Sequence, residues 1–201
     1  MIDGKNVMVI DFETTGLDGI EKNDRILSVG VARVDLEQNK VVPVFQTPIW
    51  YHNLSEKQSE SWIFEHGYMK GSDIYNSPFD EWKVARILYT LLEDQLVTSY
   101  NTEFDLDRFL YPWYDTLDGD CPYFARAPCI MKASAQVPEI PRRIHDDGSC
   151  YPSLVASFDM LLEFKPRYPP HDAMNDCLMA GMILLALKDK GLYDPMREDE
   201  Y

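Results

Sequence analysis

The chain has 201 residues, with 34 acidic against 19 basic side chains and a formal net charge of −15. That length can bury a sizeable core without disulfides or a structural metal. It predicts one domain over residues 1–201, with a core at about 6–190 and an acidic tail at 191–201. The charge excludes a basic module that holds nucleic acid by bulk electrostatics. It does not exclude a nuclease, because carboxylates that gather cations add to the negative count.

In chain order, Asn6 to Glu13 reads as a strand, apolar on both faces until its end. Arg25 to Asp35 reads as a second strand and Val41 to Ile49 as a third, joined by the polar link Leu36–Lys40. Pro43 and Pro48 put the third strand at a sheet edge, since proline cannot donate to a ladder. Together the three suggest an antiparallel meander. After a loop-rich stretch, Ser77 as N-cap, Pro78 at the first helical position and the acids Asp80 and Glu81 predict a helix from Pro78 to Leu92. A short strand at Gln95–Ser99 and a helix at Thr102–Trp113 follow. Residues 111–128 and 134–152 read as long loops around a short strand at Cys129–Met131. A helix spans Ser153–Glu163, and a last one, capped by Asp172 and closed by Gly191, runs from Ala173 to Lys188. This pattern is a mixed α/β domain.

Cys121, Cys129, Cys150 and Cys177 form no CxxC pair, which reads as reduced intracellular thiols. The longest apolar run, Cys177 to Leu187, is eleven residues, where a membrane span needs about 20. With no targeting segment legible, a cytoplasmic protein without membrane contact is expected.

The most informative segment is Asp11-Phe12-Glu13-Thr14-Thr15-Gly16. Side chains alternate along a strand, so Asp11 and Glu13 share the face of Val7 and Val9. Two adjacent carboxylates repel, and their burial is costly unless a cation neutralises them. Oxygen-only ligation suits Mg²⁺ or Mn²⁺. In isolation the pair also reads as an exposed strand end; the Thr-Thr-Gly that follows adds hydroxyls and a backbone open to close approach. Asp105 lies in the first turn of a helix, where alone it would be a dipole partner. Asp176 stands just before the long apolar run and needs a partner or a metal. His171 lies in the loop ahead of it and, taken alone, reads as an exposed loop residue.

In order and spacing, these segments resemble the three motifs of the DEDDh family of 3′–5′ exonucleases. The first is Val9-Ile10-Asp11-Phe12-Glu13-Thr14-Thr15-Gly16-Leu17, and Arg25-Ile26-Leu27-Ser28-Val29-Gly30 resembles the strand that follows it. Asn101-Thr102-Glu103-Phe104-Asp105 matches the second motif, and His171-Asp172-Ala173 with Asp176 the third. His66-Gly67-Tyr68 resembles a weaker segment near the terminal base. Tyr100 and Cys129-Ile130-Met131 depart from residues common in the family, which has His before the Asn and Asp-Thr after the second-motif helix.

The resemblance implies a ribonuclease H-like mixed sheet, three antiparallel strands then parallel ones, flanked by helices. It implies two divalent ions, Mg²⁺ or Mn²⁺, held by Asp11, Glu13, Asp105 and Asp176, with His171 as general base. Thr14, Thr15, Gly16, Leu17, His66 and Asn101 fall on the substrate side. The expected activity is hydrolysis at the 3′ end of single-stranded DNA or RNA, releasing nucleoside 5′-monophosphates. A polymerase or another protein partner would supply grip that the net charge does not. Two alternatives stand beside this reading: an inactive binding module on the same fold, and another Mg²⁺-dependent phosphoesterase. Arg142, Arg143, Lys165 and Arg167 are the basic residues nearest in sequence to the third motif.

Overall fold

The computed structural model describes residues 4–144, 148, 150–163 and 167–197. Lys165 and the end of the expected acidic tail, residues 198–201, lie outside them.

Strand β1 (Asn6–Thr14) is the centre on which the molecule is built. It pairs antiparallel with β2 (Ile26–Asp35), which pairs antiparallel with β3 (Lys40–Pro48). On its other side β1 runs parallel to β4 (Leu96–Thr98), and β4 parallel to β5 (Ala125–Arg126). The order β3-β2-β1-β4-β5 leaves the proline-bearing β3 at an edge, as expected from its composition. Three antiparallel strands followed by parallel ones, flanked by helices, is the ribonuclease H-like arrangement.

Alternation along β1 divides the core. Val7 and Val9 face helix α8 (Ala173–Asp189), packing with Cys177, Ala180, Ile183 and Leu184. Met8, Ile10 and Phe12 face the opposite layer, which includes α4 (Glu81–Leu92) with Val84, Leu88 and Leu92. Helix α8 is apolar almost all round because the sheet and α7 (Leu154–Leu161) both lie against it.

Several local expectations are corrected. The fourth helix starts at Glu81, not Pro78: Asp80 is its N-cap, accepting the Lys83 N–H at 2.9 Å. Ser77 instead donates to the Pro48 carbonyl at 2.6 Å, and Trp50 N–H donates to Phe79 O at 2.7 Å, which holds the preceding residues extended. Cys129–Met131 is not a strand. Cys129 precedes α6 (Ile130–Ser134), and the strand beside β4 is Ala125–Arg126. A short apolar run has no period that separates strand from helix.

The expected helix at Thr102–Trp113 is a π-helix, Glu103–Leu110, continued by α5 (Tyr111–Thr116). Pro112 offers no N–H to the carbonyl four residues earlier, and Tyr111 N–H bonds Leu106 O, five residues back. The loop-rich stretch holds three single helical turns, α1 (Glu56–Ser59), α2 (Trp62–Glu65) and α3 (Gly71–Tyr75). The expected loop at 134–152 holds a hairpin, β6 (Arg142–Ile144) against β7 (Cys150–Pro152).

Gly30 fixes how closely α8 approaches the sheet. It pairs with Asp11 in the β1–β2 ladder, and a Cβ there would lie 2.3 Å from Ala173 O and 2.7 Å from Met174 N. Both obstacles are backbone at the N-terminus of α8, which cannot swing aside. Gly30→Ala should therefore push the helix off the strand, at a cost of about 1–3 kcal/mol. At this chain length that is roughly 2–4 °C of melting temperature per kcal/mol. An unchanged melting curve would contradict the close approach.

Candidate active site

The polar end of β1 and the first turn of α8 meet where Gly30 lets them touch. Asp11 and Glu13 project from β1 on the α8 side, and Asp176 projects from α8 toward them. Carboxylate oxygens of the three lie within 4.8 Å of one another. Asp105, from the π-helix, is the fourth member: it is 3% exposed, and its charge bears on Asp11 and Glu13. A fifth carboxylate, missed as a site residue, is Asp172. It caps α8 by accepting Asn175 N–H at 3.0 Å and accepts from Gln46 Nε2 at 2.8 Å. Its charge also falls on Glu13, Asp176 and Asp11.

Burial is the main cause of the electrostatics, and mutual repulsion adds to it. Burial and then the Asp176 charge push Glu13 up to about 8. Burial pushes Asp105 and Asp176 up to about 7, Asp176 being lowered in part by the His171 backbone N–H on its Oδ2 at 3.2 Å. Asp11 is raised well above the usual carboxylate range by burial and by Asp105. None of the ion pairs among the described residues involves any of the four. Among the described residues, buried oxygens of Asp105 (Oδ1) and Asp176 (Oδ1) have no hydrogen-bond partner. The clustered carboxylate oxygens of Asp11, Glu13 and Asp176 fit a hard divalent cation.

The cluster forms the floor of a cleft of about 430 Å³ lined also by Thr14, Thr15, Gly16, Leu17, Trp62, Phe104 and His171. The loop after β1 is held from beneath by Asp24, whose Oδ2 accepts the Asp18 and Gly19 N–H groups at 2.9 and 3.1 Å. Thr15 exchanges bonds with the Arg25 backbone, its N–H to Arg25 O at 3.0 Å and its Oγ1 from Arg25 N–H at 2.9 Å. This leaves Leu17 standing 73% exposed at the rim. Among the expected site residues, Asp11, Glu13, Asp176, His171 and Thr14 to Leu17 line one cleft. Asp105 sits behind it. His66 and Asn101 do not line it: His66 lies against Trp62, ring centroids 4.8 Å apart, and Asn101 bonds back to its own helix through Phe104 N–H.

Sequence reasoning missed Trp62 and Phe104, aromatics that flank the cleft, and Asp24, which holds the loop. Tyr100 is a core residue, its hydroxyl bonding Pro152 O and Ser157 Oγ. Of the basic residues singled out, Arg167 pairs with Asp159 and Arg142 donates to Ala135 O.

Fold and acidic site together define a nuclease of ribonuclease H-like architecture. Residues 8–184 match the family model described as Exonuclease, RNase_T. The chain belongs to that exonuclease family, and its four acids and His171 carry its resemblance to the DEDDh pattern. Its fold is similar to the nuclease domain of 3′hExo, a DEDDh family member bound to rAMP, with TM-score 0.71 and 15% identity over 97% of each chain. It is also similar to cell-death related nuclease 4, with TM-score 0.69 and 16% identity, covering 93% of this chain and 64% of that one. Exonuclease I of E. coli, in complex with a dA16 oligonucleotide, gives TM-score 0.67 and 19% identity, covering 94% of this chain and 42% of that one. The chain thus spans less than two thirds of the last two. No curated protein matches the sequence.

The raised carboxyls set a pH dependence. Unfolded, these groups titrate near 3.8 and 4.5; folded, Glu13, Asp105 and Asp176 titrate near 7 to 8. Between those values the folded chain binds more protons than the unfolded one, so stability is present at low pH and falls as pH rises from about 4 to 8. Without divalent ions, the melting temperature should drop from pH 5 to pH 8. Asp11→Asn, which removes one charge, should shrink the drop. A profile that rises over that range would contradict the shared burial.

Proposed function

We propose that this chain shortens single-stranded nucleic acid from its 3′ end, releasing nucleoside 5′-monophosphates, with Mg²⁺ or Mn²⁺ at the acidic floor of the cleft. The observation that carries the reading is the convergence of Asp11, Glu13 and Asp176 within 4.8 Å, in a cleft closed on one side by Thr14 to Leu17 and on another by His171. Asp11, Glu13 and Asp176 would hold one ion, and Asp11 with Asp105 a second. Bound cations supply charge neutralisation at the scissile phosphate and lower the pKa of water.

The chain's own groups do the rest. His171 accepts the proton of the attacking water at an imidazole nitrogen. Burial holds its pKa below the usual 6.5, so the ring is neutral and able to accept a proton at pH 7. Leu17 offers an apolar surface to the terminal base, and Trp62 and Phe104 offer faces on which any base can stack. The backbone of Thr14 to Gly16, which lines the cleft with the carboxylates, would meet the 3′ hydroxyl. A net charge of −15 repels a polyanionic strand, which supports distributive action or a protein partner that supplies grip. Four cysteines without disulfides support a reducing, cytoplasmic setting.

The test is digestion of 5′-labelled single-stranded DNA and RNA, and of small phosphate esters, in Mn²⁺. The expected products are a ladder shortening one nucleotide at a time from the 3′ end, with 5′-monophosphates released. A 3′-phosphorylated strand should resist, and His171→Ala should lower the rate by about 10²–10⁴-fold. Loss of the labelled end first, cutting of a circular strand, or turnover of the small esters alone would overturn the proposal.

A further inference from the structure

The segment His66-Gly67-Tyr68 lies outside the cleft, yet it bears on the residue that would move the proton. Helix α2 ends with Gly67 at φ +73, a conformation glycine adopts without strain. The turn is closed by Gly67 N–H to Phe64 O at 3.0 Å and Tyr68 N–H to Ile63 O at 3.1 Å. The chain therefore doubles back, and Tyr68 lies on the Trp62 ring, centroids 5.1 Å apart and planes at 29°. Both rings then meet His171: Tyr68 at 4.5 Å, tilted by 57°, and Trp62 edge-on at 4.8 Å. His66 also packs on Trp62, at 4.8 Å, and lies parallel to Tyr68 at 6.3 Å.

His171 needs such support. It sits outside α8 at φ +64, where a side chain is strained. Its backbone N–H reaches Asp176 Oδ2, but its imidazole makes no hydrogen bond among the described residues. Ring direction thus depends on packing, and a base one ångström out of place loses most of its effect.

We propose that Tyr68 is a positioning residue that, together with Trp62, holds the His171 imidazole facing the acidic floor. The proposal rests on His171 acting as the base. Trp62 also lines the cleft and would touch substrate, so its substitution mixes two effects. Tyr68 lies outside the cleft lining and separates them. At 45% exposure, it can be changed with little loss of stability.

The experiment measures kcat and KM on a single-stranded oligonucleotide at saturating Mn²⁺ for Tyr68→Leu, Tyr68→Phe, His171→Ala and the Tyr68→Leu, His171→Ala double variant, with melting curves as a control on folding. Tyr68→Leu should lower kcat by about tenfold or more with KM nearly unchanged. Tyr68→Phe, which keeps the ring, should retain most of the rate. In the double variant, Tyr68→Leu should cost nothing further, because the base it orients is gone. If Tyr68→Leu leaves kcat unchanged, raises KM alone, or costs as much without His171 as with it, Tyr68 does not position the base. If His171→Ala itself keeps full kcat, the failure lies in the assignment of the base.

Discussion

Carboxylates forced together at the end of one buried strand are the interaction on which the rest of this molecule depends. At an effective dielectric near 20, two unit charges 4.8 Å apart repel by about 3–4 kcal/mol. A single hydrogen bond contributes about 1 kcal/mol net and cannot offset several such pairs. The site therefore exists in one of two conditions, carrying protons or carrying cations. Elevated titration points for Glu13, Asp105 and Asp176 describe the first, and unpartnered oxygens on Asp105 and Asp176 suit the second.

The surrounding fold holds that arrangement against its own repulsion. Apolar packing of α8 on Val7, Val9, Ala32 and Val34 anchors the helix that carries Asp176. Gly30 removes the one Cβ that would keep helix and strand apart. Asp24 holds the loop beyond β1, and the Trp62 and Tyr68 rings pack against His171. The carboxylates of the floor stand on β1 and α8, while much of the cleft rim, Thr15 to Leu17 and His171, comes from loops.

What the sequence makes legible follows from how local each signal is. Asp11 and Glu13 share a face because a strand alternates, and Asp176 stands out because it interrupts an apolar helix; both follow from short-range periodicity. The antiparallel meander of the first three strands follows from their short link, and the edge position of β3 from Pro43 and Pro48; the parallel strands beside β1 are implied only by the resemblance. Long-range contacts are not written that way. Nothing near Gly30 announces that α8 will lie on it. Both Ser77 and Asp80 are sound N-caps, and the choice between them falls to Trp50, whose N–H holds Phe79 extended. Trp62 and Tyr68 sit in a stretch with no period, so their meeting with His171 depends on a turn at Gly67 and on a loop far along the chain. The resemblance puts His66 near the terminal base; its ring packs against Trp62, which lines the cleft.

The most direct measurement of the central constraint is calorimetric titration of the metal-free chain with Mn²⁺ near pH 7, in two buffers of different ionisation enthalpy. If buried carboxyls share protons that a cation displaces, binding releases about one proton or more per chain. That release should fade as the pH is raised past 8 and shrink in Asp11→Asn. Binding with no proton release at pH 7, or binding that Asp11→Asn leaves unaltered, would contradict the picture of one acidic site held together against its own charge.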